Sequence, residues 1–400
     1  MSRVFANPLT ELIEYEELNR QLEQGQGPVQ VSGCMDSQKV HLIQETVPDA
    51  AWKLIVTYDD SRAREIYEDF GCFRQDVWLY PAKDLLFYSA DIHGNLMARQ
   101  RLQVLRHRME DASGVVVTTI DGLMDHLLLP KQLADQVIVV KAGQELELDE
   151  WKERLAQMGY ERTGQVDGMG QFSIRGGILD IFPLTEEQPI RIELWDTEVD
   201  SIRFFDLESQ RSIEQLEEIA IYPASEIVLT REQRKEGAQK IEKEAGISVE
   251  KLRKQMRTEE AHRLLGITQE LVEGIREGWK VNGLDSCLSY FCEETVSFLD
   301  YFKEDSMIIL DEPARLREKG EAVEMEFRES MSHRLEKGYL LPGQTDLLYT
   351  AKELLARAQR SNTMYLTGLE QKLPGMRSAS SLHRSHAGAG TPASPSSFPP

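Results

Sequence analysis

Apolar residues at the front of the chain recur at helical spacing, with Leu9, Leu12, Ile13, Leu18 and Leu22 predicting a helix over residues 8–22 that Gly25, Gly27 and Pro28 bring to an end. Short β-branched runs follow: VQVSG ending at Gly33, KLIVTY ending at Tyr58, VWLYP ending at Pro81 and GVVVTT ending at Thr119. The stretches between them read as helices. Strands that alternate with helices predict a parallel α/β sheet.

The pattern changes near Val137. VIVVKAG reads as a strand, Asp149 can cap a helix carrying Trp151, Leu155 and Met158, and Gly164, Gly168 and Gly170 follow. QFSIRGGILDIFP, PIRIELWDTEVD and SIRFFD then alternate with period two, so that Ile190, Ile192 and Leu194 face one way and Arg191, Glu193 and Trp195 the other. From about Glu214 the chain reads as helical and strongly charged, until SMIILDEP restores an apolar strand ending at Asp311. The predicted architecture is a parallel-sheet domain in two parts, residues 1–121 and 208–343, interrupted by a small mixed α/β insert over residues 122–207. A short helical segment over residues 344–375 and a tail over residues 376–400 complete it. That tail is rich in Ser, Ala, Gly and Pro and has no acidic residue, so it reads as disordered, either a flexible linker or the product of an altered reading frame.

With 400 residues, 41% of them hydrophobic, the chain is long enough to bury more than one core. Acidic residues outnumber basic ones 68 to 46, and a net charge of −22 makes nucleic acid a poor first choice of partner. Cys34, Cys72, Cys287 and Cys292 form no C-x-x-C pair and no zinc-type cluster, which predicts reduced thiols and no metal site. The acidic, amphipathic start and the lack of a long apolar run predict a cytoplasmic protein that engages no membrane.

Two fragments of nucleotide chemistry stand out. Gly33 and Lys39 occupy the first glycine and the lysine of a G-x-x-x-x-G-K-[ST] phosphate loop. Gln38, however, replaces the glycine that lets amides wrap phosphate, and Val40 replaces the hydroxyl that ligates magnesium. Asp311 and Glu312 end an apolar strand as a magnesium-holding acidic pair would, although acidic pairs at strand ends are usually solvated turns. Because phosphoryl transfer needs both halves of this clamp, the fold is read as a degenerate P-loop-NTPase-like domain without cofactor or catalytic residues. His41, His93 and His262 have no partner at a readable spacing, and no nucleophile motif is present.

The segment GQFSIRGGILDIFPLTEEQPIRIELWDTEVDSIRFFDLESQRS resembles the interaction domain shared by UvrB and the transcription-repair coupling factor (Mfd) family, gap-free over its length. VWLYPAKDLLFYSADIH, VVVTTIDGLM, VVKAG and AIYPASE fit the same order, so the resemblance runs from the N-terminus to about Pro342. The damaged loop favours the coupling-factor side of the family, since UvrB proteins carry an intact one and hydrolyse ATP. The resemblance implies docking of UvrA through Arg162 and Arg175, with Phe172 and Phe182 shaping or supporting the surface; a further arginine of UvrB falls on Ser173. From pattern alone, Arg175 could equally cap a strand end in a local ion pair. The resemblance also implies that RNA polymerase and DNA are engaged only through domains beyond this chain. An ATP-dependent damage-loading protein of UvrB type and a non-functional gene fragment are the alternatives.

Overall fold

Short apolar runs bounded by turns become strands where both faces can be covered, and the computed structural model, which describes residues 13–46, 51–83, 94–278, 283–369 and 377–378, follows that rule closely. Leu9, Leu12, His93 and most of the tail after residue 375 lie outside the described residues. In chain order the strands begin with β1 (Val29–Ser32), β2 (Trp52–Thr57), β3 (Val77–Tyr80) and β4 (Gly114–Thr119). The insert contributes β5 (Ile138–Lys141), β6 (Glu161–Arg162), β7 (Gln171–Arg175), β8 (Ile178–Phe182), β9 (Ile190–Trp195), β10 (Glu198–Phe205), β11 (Ser212–Leu216) and β12 (Glu218–Ile221). After a pair of long helices, Arg231–Lys254 and Thr258–Glu277, come β13 (Met307–Asp311), β14 (Thr363–Thr367) and β15 (Arg377–Ser378).

One seven-stranded sheet has the order β15-β1-β14-β13-β2-β4-β3, with every neighbouring pair parallel. Its central strands are buried on both faces and feed two cores. β2 sends Leu54 and Val56 into one and Ile55 into the other, and β13 divides Ile308 and Leu310 from Ile309 in the same way. The segment expected to hold only a short helix does contain one, Ala351–Arg357, but it also supplies β14, which lies between β1 and β13. Thr-Met-Tyr-Leu-Thr is a five-residue run with no periodicity to separate a buried strand from a buried helix turn. Arg377–Ser378 pair with β1.

The insert holds a six-stranded sheet of order β11-β10-β9-β8-β7-β6, antiparallel except at β6–β7, and a β12–β5 ribbon. Phe172, Leu179, Ile181, Ile190, Ile192 and Ile202 form its core under Trp151 and Leu155 of the helix Leu148–Gln157. Its strands run from Ile138 to Ile221, whereas the helix Ile120–Met124 and Leu133 pack into the core of the parallel-sheet domain. The stretch from about Glu214, expected to open a helix, instead falls in β11 and β12. Their glutamates favour helix locally, and cross-strand pairing with β10 and β5 overrides that preference.

A buried charge cluster ties the helix Gly94–Glu110 to Glu226, on the segment that leaves the insert. Arg101, 0% exposed, donates from Nε to Glu226 Oε1 at 2.7 Å, from Nη2 to Glu226 Oε2 at 3.1 Å and from Nη1 to the Pro81 carbonyl at 2.8 Å. Its Nη1 also lies 3.0 Å from Asp125 Oδ2, and the guanidinium stacks 4.2 Å from the Tyr80 ring centroid. Lys83 bridges Glu226 at 3.1 Å and Asp285 at 2.9 Å. Burial pushes the Asp125 carboxyl up to about 6. Burial would also raise Glu226, but Arg101 and Lys83 outweigh it and hold that carboxyl at about 2. Among the described residues, no helix is long and apolar enough to cross a membrane.

Candidate functional site

Alternation along β7 turns Phe172 and Ile174 into the core and leaves Ser173 and Arg175 on the other face. Arg175 ends the strand at a turn that needs its glycines: Gly176 has φ +60°, and a Cβ on Gly177 would come within 2.9 Å of the Leu194 carbonyl oxygen. The Arg175 side chain is 45% exposed and donates from Nη2 to Asp180 Oδ2 at 2.8 Å. Asp180 is buried and also accepts the fork of Arg191, Nε to Oδ1 at 2.7 Å and Nη2 to Oδ2 at 2.9 Å. One carboxylate thus serves two guanidiniums, and the surplus positive charge lies at Arg175. The local ion pair weighed from sequence is present, and it aims the side chain without covering it.

Arg162 lies on the edge strand β6, exposed, and among the described residues its side chain has no hydrogen-bond or ion-pair partner. The β6–β7 register sets it beside Phe172, on the face opposite to that of Arg175, so the sheet does not bring the two arginines onto one face. Ser173 is buried and donates to the Gly164 carbonyl at 2.9 Å, so on this face its hydroxyl is taken up by the chain itself. Phe172, 0% exposed, and the buried Phe182 do not reach the surface, so neither is a contact residue; they can only support the sheet. Arg191, stacked 4.4 Å from the Phe205 ring centroid and bonded at 2.8 Å to Gln210 Oε1, closes the other half of this face.

The two nucleotide-like fragments do meet. β1 leads through Gly33, at φ +83°, into the helix Asp36–Thr46. From that helix Lys39 Nζ reaches Asp311 Oδ1 at 2.6 Å and Glu312 Oε1 at 2.7 Å. Burial would lower the Lys39 ammonium, but Asp311 and Glu312 outweigh it and keep it charged. Asp311 Oδ2 further accepts from Thr57 at 3.1 Å and Arg62 at 3.4 Å, and Glu312 Oε1 from the Gly368 amide at 2.7 Å. Gln38 Oε1 accepts from the Met35 amide at 3.1 Å, and Val40 is buried in the apolar core. A cavity of about 10 Å³ beside Lys39, Val40, Asp311 and Leu366 has room for no more than one water. Thr57 and Arg62 carry no sequence signal for this role, because only the folded sheet places them near Asp311.

The UvrB interaction domain family model matches residues 138–227, the stretch that holds the mixed sheet and its ribbon. The transcription-repair-coupling factor of Bacillus subtilis is 33% identical over 313 residues, covering 78% of this chain and 26% of that protein. Those of Staphylococcus aureus and Staphylococcus epidermidis are 30% and 29% identical, over 87% and 89% of this chain and 30% of each relative. The chain therefore spans under a third of the length of the curated relatives it matches. Placed with its relatives over most of its own length, and built around a UvrB interaction domain, the chain belongs to the transcription-repair-coupling factors (Mfd) as an N-terminal UvrB-like module.

Proposed function

We propose that this module recruits UvrA for transcription-coupled nucleotide excision repair, in the cytoplasm, through the Arg175 end of the inserted sheet, and that it carries out no nucleotide chemistry. The observation that carries the reading is Arg175 itself: a half-exposed guanidinium, oriented by a buried carboxylate it shares with Arg191, in a chain of net charge −22. Guanidinium forks suit carboxylates on a partner. Arg162 joins as a second contact from the sheet edge, while Phe172 and Phe182 hold the strands in place. Engagement of RNA polymerase and DNA is assigned to regions of the relatives outside this chain.

The test is the affinity of purified UvrA for the chain and for its Arg175→Ala variant. Loss of a charge-assisted hydrogen bond is expected to cost about 1.5–3 kcal/mol, roughly ten- to hundredfold in Kd. Equal affinities for two variants with the same thermal melt would remove Arg175 from the interface.

The alternative of an ATP-dependent loading protein is disfavoured because Gln38 and Val40 replace the loop's second glycine and its magnesium-binding hydroxyl, and Lys39 is held by Asp311 and Glu312. Titration with magnesium-ATP is expected to show neither saturable binding nor DNA-stimulated hydrolysis. Turnover at a UvrB-like rate would reverse the assignment.

A further inference from the structure

The end of β9 carries a side chain that the reading above does not use. Trp195 is 81% exposed, on a strand whose alternate residues Ile190 and Ile192 are fully buried. Burying an indole contributes strongly to stability, so leaving one open on a well-ordered strand points outward, to a partner.

Its position is set by register. Ile178 pairs with Glu193 and Arg175 with Ile178, so Arg175, Ile178, Glu193 and Trp195 share one face of the sheet. The Leu194 amide donates to the Gly177 carbonyl at 2.8 Å, which ties the end of β9 to the turn that follows Arg175. On the other side Trp195 pairs with Glu198, which is exposed. Space above the turn is open, since a Cβ on Gly176 would meet nothing within 4 Å. The hairpin is held still: Asp196 turns the chain at φ +60°, and the Leu146 amide donates to the Thr197 carbonyl at 2.7 Å. A tryptophan on a fixed hairpin loses little freedom on binding.

Across this end of the sheet the order is therefore cation, indole, carboxylate: Arg175, Trp195, Glu198. We propose that Trp195 is the apolar anchor of a docking strip for a protein face that presents, in the complementary order, a carboxylate, an apolar recess and a cation. This rests on the preceding reading, under which that face belongs to UvrA.

Binding of purified UvrA to the full chain tests it, using Trp195→Ala, Trp195→Phe and Glu198→Lys. Trp195→Ala is expected to weaken binding at least about thirtyfold, while Trp195→Phe keeps most of the affinity and Glu198→Lys lowers it. Thermal melts of all three should match that of the parent, because both side chains are exposed. Indole emission of the parent should shift to the blue on adding UvrA, and the part due to Trp195 should be missing in Trp195→Phe. If the parent binds UvrA and Trp195→Ala binds equally well, the anchor is wrong and the recruiting function stands. If the parent does not bind UvrA, both fall. If sedimentation shows the parent to be a dimer that Trp195→Ala makes monomeric, the strip is a self-interface and the proposal is overturned.

Discussion

Arg101→Met is expected to cost about 3–5 kcal/mol of folding stability, seen as a large drop in the urea midpoint at unchanged dependence on urea. The reason is stranded charge rather than lost attraction. Glu226 takes both of its short guanidinium bonds from Arg101, Asp125 faces the same group, and Arg101 is fully buried. Lys83 remains for Glu226 but is already shared with Asp285. An exposed arginine pair would contribute less than about 1 kcal/mol, so a loss of that size would show that water reaches the cluster. The two acids also give opposite pH dependences. Glu226, held at about 2, contributes stability that is complete above its ordinary range near 4.5 and is lost as pH falls through about 2. Asp125, raised to about 6, keeps its proton in the folded protein after the unfolded chain has lost it, so stability falls as pH rises from about 4 through about 6. Asp125→Asn should remove that second dependence alone, a result read from melts at pH 4.5 and 7.

Phe172→Ala is expected to cost about 3–5 kcal/mol, confined to the insert. Phe172 is fully buried among Leu179, Ile181, Ile190 and Ile192, in a core separate from the two that flank the parallel sheet. Limited proteolysis should therefore open the 138–221 region first while the parallel-sheet domain keeps its protection, and UvrA binding should be lost with it. Uniform loss of protection across both bodies would show that they unfold as one unit.

The parallel core was legible because β2, β4 and β13 are short apolar runs between turn signals, and the inserted sheet because Ile190, Ile192 and Leu194 alternate cleanly with polar neighbours. The same alternation set Trp195 on the polar face, a cue to its exposure. β14 was hidden because five buried residues carry no period, and β11 and β12 because glutamate-rich strands at a sheet edge resemble helix. At the site, residue types were readable and partners were not. Lys39 and Asp311 lie 272 residues apart, and nothing local says that the ammonium closes on the acidic pair. Asp180, which holds Arg175, reads in sequence as one more residue of a buried strand. Arg101 sits in a polar helix, and its complete burial depends on three segments converging.

Among the described residues β1 has β14 and β15 as its strand neighbours, and both come from beyond residue 362. During synthesis β1, the first strand among the described residues, must therefore wait for these two partners until residues beyond 362 have left the ribosome, while the insert can close on contacts nearer in sequence. A chain stopped before Thr363 would deprive β1 of β14 and β15 and β13 of β14, leaving strand edges free to pair with other chains.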